Sequence, residues 1–262
     1  MDIKEQILQL RDELSQHNYK YYVLDTPSIS DFEFDTKLKQ LQDLESAYSQ
    51  YYDASSPTQR VGGEVTKNFE TVVHAQRMYS LDNSYSKDDL MEWETRLRKM
   101  VDGPIEYTCE LKYDGASISL TYENGVLVQA LTRGDGTQGD NVTANIKTIK
   151  SVPLKLRGNY PEKFEIRGEI VLPFEGFNAM NAERLAAGEE PYKNPRNTAS
   201  GSLKLQDSAE VVKRPLECLL YSIVGENTSI KTQFENLETA RSWGFKVPTI
   251  AKLTNSIDGV LE

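Results

Sequence analysis

The stretch Cys109-Glu110-Leu111-Lys112-Tyr113-Asp114-Gly115 alternates apolar and polar side chains and ends in an Asp-Gly turn. This alternation predicts a β-strand with one apolar and one polar face, and the polar face carries Lys112 beside Glu110. An arbitrary lysine there most often forms a surface ion pair. An amine at the end of a strand can also act as a nucleophile, if it is neutral and correctly aimed. The strand's apolar residues, which we expect to face a core, are Ile105, Tyr107, Cys109 and Leu111.

The residues after this stretch predict a β-hairpin. Hydrophobic runs from Ala116 to Tyr122 and from Val126 to Thr132 flank the turn Glu123-Asn124-Gly125. Asn-Gly is the strongest short-range signal for such a turn. The hairpin leads directly into Arg133-Gly134-Asp135-Gly136.

The order Glu-x-Lys-x-Asp-Gly, hairpin, Arg-Gly-Asp-Gly resembles the nucleotidyltransferase core of DNA ligases and RNA-capping enzymes. The details are most similar to the bacterial NAD-dependent DNA ligases, and the resemblance extends over the whole chain. It implies an α+β fold of mostly antiparallel sheets with flanking helices, preceded by a small helical subdomain. It also implies that Lys112 attacks the α-phosphorus of NAD, releases nicotinamide mononucleotide and carries AMP. The AMP would pass to the 5′-phosphate of a DNA nick, which is then sealed in replication and repair.

The N-terminal region predicts two amphipathic helices. Apolar residues recur at helical spacing in the first helix, which runs toward Tyr22 and stops before Pro27. Ser30 and Glu33 form a capping box that opens the second. Pro57 and Gly62-Gly63 mark a hinge, so we expect a helical subdomain over residues 1–68 and a nucleotidyltransferase domain over 69–262. The apolar faces are Ile3, Ile7, Leu10 and Leu14, then Phe34, Leu38, Leu41 and Tyr48.

A cluster of tyrosines and acids in these helices has two interpretations. Aromatic rings pack helices together, and acids favour a helix N-terminus. The resemblance implies instead that the cluster binds the nicotinamide mononucleotide half of NAD, through Tyr21, Tyr22, Asp31, Phe32, Glu33, Phe34 and Asp35. Tyr22 stands where many relatives have histidine, and Phe34 where many have tyrosine. Stacking survives both changes, but Phe34 lacks a hydroxyl donor.

Further segments resemble nucleotide-binding motifs of the family. The loop 78–83 implies that Ser80 and Leu81 line the adenosine pocket. The alternating strand Phe164 to Val171 implies that Glu169 binds the ribose, although a cross-strand ion pair would also explain it. We expect the buried strand Glu217 to Val224 to be central in its sheet. Tyr221 in this strand resembles the family's adenine-stacking ring, although core packing would also explain it.

The remaining expected contacts surround the phosphates and the adenine edge. The segment Asn194 to Lys204 resembles the signature Asn-Pro-Arg-Asn-x-x-x-Gly-Ser-Leu-Lys. There Asn197 is expected to cap a short helix, and Arg196 and Lys204 to supply positive charge. The other assigned contacts are Arg133 to phosphate or ribose, Glu110 to the adenine edge, and Asp114 of the lysine motif.

The lysine chemistry requires counter-cations. A free lysine has a pKa of about 10.4, so roughly one in a thousand is neutral at pH 7. Glu110 and Asp114 favour the charged form further. The predicted cofactor set is therefore NAD with Mg²⁺ or Mn²⁺ on its phosphates, assisted by basic side chains.

Composition limits the partners. A net charge of −10 over 262 residues argues against a strong grip on DNA by this chain alone, because non-specific affinity comes from Lys and Arg. We expect nicked double-stranded DNA as the partner of a longer enzyme. Two cysteines cannot form a four-cysteine zinc site, so the family's zinc site would lie elsewhere. We expect a cytoplasmic monomer without membrane contact.

Three competing interpretations are disfavoured. Gly134 to Gly139 matches G-x-G-x-x-G, but an antiparallel hairpin precedes it and Glu169 comes too late for the expected acid. Residues 136–141 are also predicted to form a loop, where the fingerprint needs a helix. An ATP- or GTP-dependent transferase has no nicotinamide for the N-terminal helices to hold. A catalytically silent interaction module would not need the intact set of charged motif residues.

The rest of the sequence predicts further elements. Helices are opened by Ser86 and by Ser256, others lie at 174–187 and 234–243, and a strand starts at 245–248. Asp258-Gly259-Val260 resembles the start of the family's Asp-Gly-x-Val-Ile-Lys strand, but it follows a helix cap and offers no lysine. We therefore expect the true motif and the OB-fold, zinc and DNA-gripping modules to lie further along the enzyme. Nucleotide binding without nick sealing is the expected behaviour.

Overall fold

The computed structural model describes residues 2–60, 68–225 and 230–262. The helices are α1 Ile3–Tyr22, α2 Asp31–Ala47, α3 Lys87–Arg98, α4 Thr143–Thr148, α5 Phe174–Ala186, α6 Pro195–Leu203, α7 Ser208–Val212, α8 Gln233–Ser242 and α9 Ile257–Leu261. Short 3₁₀ turns span Ser49–Tyr51 and Pro57–Arg60. The strands are β1 Thr71–Val73, β2 Tyr107–Cys109, β3 Ala116–Glu123, β4 Val126–Thr132, β5 Gln138–Asp140, β6 Lys163–Val171, β7 Glu217–Val224 and β8 Lys252–Thr254.

The N-terminal helices α1 and α2 form as predicted. Each opens with a capping box, at Asp2 and at Ser30. Such a box satisfies backbone N–H groups that a helix start leaves unpaired. The two helices share a small core of Ile7, Leu10, Leu14 and Leu41.

The main body is built on a four-stranded antiparallel sheet in the order β4-β3-β6-β7. The predicted hairpin is confirmed, and its turn has positive φ at Asn124 (50°) and Gly125 (75°). β7 is at the edge of this sheet, so the prediction of a central strand is wrong. It is buried because α8 packs against it and because the backbone N–H of Leu220 bonds to the carbonyl of Lys246 at 3.1 Å.

The two faces of this sheet differ in polarity, because successive side chains of a strand point to opposite sides. The inner face packs Ile118, Leu120 and Tyr122 of β3 into the main core. On the other face of β3, Ser117 is opposite Glu169, and Ser119 is opposite Arg167. The polar face is therefore formed by the residues that alternate along the strand with the core-facing ones.

The lysine strand is shorter than predicted. β2 ends at Cys109, whose partner Lys252 lies in the three-residue strand β8. Leu111 is 56% exposed, so its predicted place in the core is wrong. Lys112 lies in the irregular segment that connects β2 to β3.

Three other predictions need correction. Phe245 and Val247 are buried, but residues 245–248 form no strand; the strand near them is β8. Asn194 caps α6 by accepting a 3.1 Å bond from the backbone N–H of Asn197, so Asn197 is not the cap. Gly139 lies in β5, in a segment predicted to be a loop.

The mixed helix-and-strand architecture with antiparallel sheets confirms the predicted fold class. Asp258-Gly259-Val260 is helical, within α9. In the part of the chain that the structure describes, no helix is both long and apolar enough to cross a bilayer.

The N-terminal helical part contacts loops of the main body. Other residues of these loops belong to the core on the inner face of the sheet. The guanidinium of Arg60 donates to three carbonyls in residues 147–152, at 2.7 to 3.4 Å. Arg157 stacks over the ring of Tyr19, with its Cζ 4.2 Å from the centroid. Pro57 is buried in the turn before Arg60. The Gly62-Gly63 part of the predicted hinge lies outside the described residues, and the domain boundary stays a prediction.

Candidate active site

The carboxylate of Glu169 is the centre of the polar face. It accepts hydrogen bonds from Ser117 Oγ at 2.8 Å and from the backbone N–H of Gly115 at 3.1 Å. Burial raises the pKa of Glu169, while these two bonds and the charges of Lys112 and Arg196 act in the opposite direction. The site therefore holds a carboxylate that its donors help to keep ionised.

Gly115 is where the lysine segment meets β6. A Cβ on this glycine would lie 2.1 Å from the carbonyl oxygen of Ile170, so a side chain cannot fit without backbone movement. This close approach lets the Gly115 N–H reach Glu169. The absent side chain is therefore part of how the sequence positions the site.

Arg196, near the start of α6, holds the other side of the lysine segment. Its Nε lies 3.2 Å from Oδ1 of Asp114 and donates to the carbonyl of Gly115 at 3.3 Å. Asp114 and Arg196 are both mostly exposed, so their ion pair contributes little to stability. Its consequence is geometric: it places a guanidinium against the segment that carries Lys112 and near Glu169.

Tyr221 and Glu110 lie on the β7 side of the site and are joined by a glutamine. Gln233 Nε2 donates to Glu110 Oε1 at 2.9 Å and to the backbone carbonyl of Tyr221 at 2.7 Å. Burial raises the pKa of the Tyr221 hydroxyl, while a hydrogen bond with Ser117 opposes this rise. Burial also raises the pKa of Glu110, against the effect of the Gln233 bond.

Arg133 and Ser80 meet at the β4 side. Arg133 Nη1 lies 3.4 Å from Ser80 Oγ, and the backbone N–H of Arg133 bonds to the carbonyl of Ser117. The imidazole of His74 also bonds to the Arg133 carbonyl, at 3.1 Å. Leu81 is 75% exposed beside Ser80. The structure thus brings the predicted adenosine-pocket segment to the same sheet as Glu169.

Lys204, which was predicted to face the phosphates, forms an ion pair in this structure. Its ammonium lies 2.6 Å from Oδ2 of Asp140. The positive charge predicted for phosphates is therefore already matched by a carboxylate.

The predicted nicotinamide segment surrounds a shallow cleft between the start of α2 and the end of α1. Tyr21, Tyr22, Asp31 and Phe34 line it, together with His17. Phe32 and Asp35 are exposed and do not line the cleft, and the carboxylate of Glu33 is bonded to Ser30 in the capping box.

Tyr22 contacts the main body away from the polar face. Its hydroxyl accepts a 2.9 Å bond from Lys150 Nζ, which also lies 5.1 Å from the ring centroid. Lys150 belongs to the loop after α4, which packs on the inner side of the sheet. The structure therefore does not bring Tyr22 together with Lys112 and Glu169.

Residues 66–262 match the family model described as the NAD-dependent DNA ligase adenylation domain. The chain belongs to this family. Residues 1–62 match a second model, the DNA ligase-like, N-terminal NAD+-binding domain.

Several relatives of this adenylation domain are named DNA ligase. The chain is 70% identical over 261 residues to the DNA ligase of Christiangramia forsetii, covering 100% of the chain and 39% of that protein. It is 67% identical over 263 residues to the DNA ligase of Flavobacterium johnsoniae, with 100% and 39% covered. It is 51% identical to the DNA ligase of Bacteroides fragilis, with 100% and 40% covered. The chain thus spans about two fifths of the curated relatives it matches.

Two residues that contact the predicted site residues could not be predicted from the sequence. Ser117 was recognisable only as one of several polar residues that alternate with apolar ones in β3, two positions after Gly115. Gln233 opens α8, 123 positions from Glu110, and no local pattern links them.

Within residues 2–60, 68–225 and 230–262, no three His, Cys, Asp or Glu side chains converge on a common point.

Proposed function

We propose that this chain takes adenylate from NAD onto Lys112. The observation that carries the proposal is a connected group of polar residues near Lys112. Hydrogen bonds link Glu110 through Gln233 and Tyr221 to Ser117 and Glu169. The charges of Lys112 and Arg196 both act on Glu169. Together these residues supply a nucleophile, an aromatic ring, two carboxylates and a cation on one face of a sheet. That combination suits a nucleotide with a reactive phosphate.

In this proposal each group has one role. Lys112 Nζ attacks the α-phosphorus of NAD, a phosphorus–nitrogen bond forms, and the phosphoanhydride bond to nicotinamide mononucleotide breaks. Tyr221 stacks on adenine, Glu110 reads its edge, and Glu169 accepts from the ribose hydroxyls. Arg133 and Arg196 face the phosphates, and Ser80 and Leu81 border the adenosine. Asp114 keeps Arg196 in place.

The amine must lose a proton before it attacks. Anionic phosphates would neutralise Arg133 and Arg196, so a bound divalent cation would add the positive charge that favours a neutral lysine. Mg²⁺ or Mn²⁺ on the phosphates would also polarise the reacting phosphorus. We infer that the ion enters with the substrate.

The nicotinamide half would bind in the α1–α2 cleft, through Tyr21, Tyr22, Asp31 and Phe34. Phe32, Glu33 and Asp35 belong to the same predicted subsite, as neighbours of the cleft. Tyr22 is bonded to Lys150 here. This part of the proposal therefore requires Tyr22 to exchange that bond for contacts with NAD, when the dinucleotide occupies the cleft and the site around Lys112 together. The subdomain would span residues 1–68 and the nucleotidyltransferase domain 69–262.

For the complete enzyme we propose nicked duplex DNA as the acceptor of the adenylate, in replication and repair. The net charge of −10 supports weak DNA binding by the present chain. Two unpaired cysteines fit a cytoplasmic setting. We propose a monomer.

The donor can be tested with labelled nucleotides. The chain is incubated with Mg²⁺ and either NAD or ATP, each labelled at the α-phosphorus, then denatured and washed. Label retained from NAD and not from ATP is the expected result. Label from ATP alone would support the triphosphate-dependent transferase, and no label from either would support a silent binding module.

A further inference from the structure

Gln233 makes two hydrogen bonds that link two separate parts of the site. It is the first residue of α8. Its Nε2 reaches a side-chain oxygen of Glu110 at 2.9 Å and the main-chain oxygen of Tyr221 at 2.7 Å. One amide therefore ties the carboxylate after β2 to the backbone of β7.

The orientation of this amide is fixed by its chemistry. A primary amide nitrogen has two N–H donors, and both have an acceptor here. In the flipped orientation, the amide oxygen would face two other oxygens without a hydrogen between them. Gln233 therefore holds Glu110 Oε1 and leaves the other oxygen of that carboxylate for a ligand. Among the described residues, Gln233 is the one that donates to Glu110.

We propose that Gln233 is a positioning residue that makes the site selective for a 6-amino purine. The inference rests on the proposed function, in which Tyr221 stacks on the base and Glu110 reads its edge. By tying Glu110 to the Tyr221 backbone, Gln233 sets the height of the carboxylate relative to the base plane. The free oxygen then accepts a hydrogen bond from the exocyclic amine of adenine. A 6-oxo purine presents an oxygen at that position, and two acceptors face each other.

The test compares NAD with nicotinamide hypoxanthine dinucleotide, which differs from NAD only in the purine. Single-turnover self-adenylation is measured over a range of dinucleotide concentrations for the wild type, Gln233→Leu and Gln233→Asn. Leucine has a similar size but no donor, and asparagine keeps the amide on a chain too short to reach both acceptors. Gln40→Leu, at an exposed position of α2, is the matched control.

We expect the wild type to prefer NAD. In both Gln233 variants the half-saturating NAD concentration should rise about tenfold, the size expected for one hydrogen bond to a charged group. The maximal rate should change less than about twofold, because Lys112 and its phosphate-facing partners are untouched. The preference for NAD over the hypoxanthine dinucleotide should shrink by a similar factor. A variant that had lost its fold would show equally reduced self-adenylation with both dinucleotides. Thermal melting of each variant checks this directly.

An unchanged preference in the Gln233 variants would overturn the inference, and so would a wild type that uses both dinucleotides equally well. Calorimetric titration with AMP and IMP separates this result from the proposed function. Selective AMP binding that depends on Gln233, in a chain that forms no adenylate, would support the inference while contradicting the proposed reaction. Equal binding of AMP and IMP by the wild type would refute the role of Gln233 whatever the chemistry.

Discussion

Ser117 Oγ donates a 2.8 Å hydrogen bond to Glu169 Oε2 across the β3–β6 pair. The relationship follows from strand register, which sets these residues directly opposite each other on the polar face. Gly115 supplies a second donor to the same carboxylate. A half-buried acid thus accepts one hydrogen bond from β3 and one from the residue just before it, and its charge state affects both stability and the proposed chemistry.

Glu169→Gln should stabilise the fold and impair the site. Glutamine keeps the length and can bond to the Gly115 N–H and to Ser117 Oγ, but it carries no charge. The pKa of Glu169 is raised above its ordinary value of 4.5, so ionisation costs the folded chain more than the unfolded chain. The wild type therefore loses stability relative to the variant as pH rises through 4.5 and above. Thermal unfolding without NAD should show nearly equal midpoints at pH 4 and a higher midpoint for the variant at pH 7.

The matched control is Glu92→Gln, at an exposed position of α3, which should show no such pH-dependent gap. A gap for Glu169→Gln that narrows as pH rises would contradict the prediction. Self-adenylation by this variant should be much slower despite its higher melting temperature.

Gly115→Ala should destabilise the chain by about 1–3 kcal/mol, the usual cost of inserting a methyl group into a packed region. The new Cβ would meet the Ile170 carbonyl at 2.1 Å, which forces β3 away from β6 beside Glu169. Gly201→Ala is the control, because a Cβ there meets nothing within 4 Å. As a helix position it should gain roughly 0.5–1 kcal/mol. Urea denaturation of both variants measures the difference, and equal stabilities would show that β3 and β6 separate without cost.

Arg60→Leu should loosen the contact between the helical part and the main body. Burial lowers the pKa of Arg60 to about 10, so it is still charged at pH 7 while it bonds to three carbonyls. Losing such bonds costs about 1.5–3 kcal/mol each at most, and the freed carbonyls remain partly buried. Arg98→Leu removes an exposed arginine paired with Glu94 on α3 and should cost less than about 1 kcal/mol. Chemical denaturation of the two variants compares them, and equal losses would place Arg60 among ordinary surface charges.

Local patterns predicted the elements whose bonds are local. The Asn124-Gly125 turn, the capping box at Ser30 and the alternation of β6 each depend on neighbours within a few residues. The structure forms these elements within one or two residues of the expected bounds.

The features that could not be predicted depend on pairing between residues far apart in the sequence. β2 stops at Cys109 because its partner β8 is three residues long and far away in the chain. The edge position of β7 is a matter of sheet order, which strand hydrophobicity alone does not report. The same limit applies to the site: the motifs pointed to Lys112 and Glu169, while Gln233 becomes visible only when α8 is packed on β7.

The site of attachment is the most direct measurement of the proposed reaction. Wild type, Lys112→Ala, Lys112→Arg and the exposed control Lys193→Ala are incubated with NAD and Mg²⁺, and their intact masses and adduct-bearing peptides are determined. A phosphoramidate on lysine survives alkali and is cleaved by acid, whereas an acyl phosphate on Asp114 or Glu110 is lost in alkali. We predict one alkali-stable adenylate on Lys112 in the wild type and in Lys193→Ala, and none in either Lys112 variant. An adenylate on Lys112→Ala, or one mapped to another residue of the wild type, would contradict the assignment of Lys112 as the nucleophile.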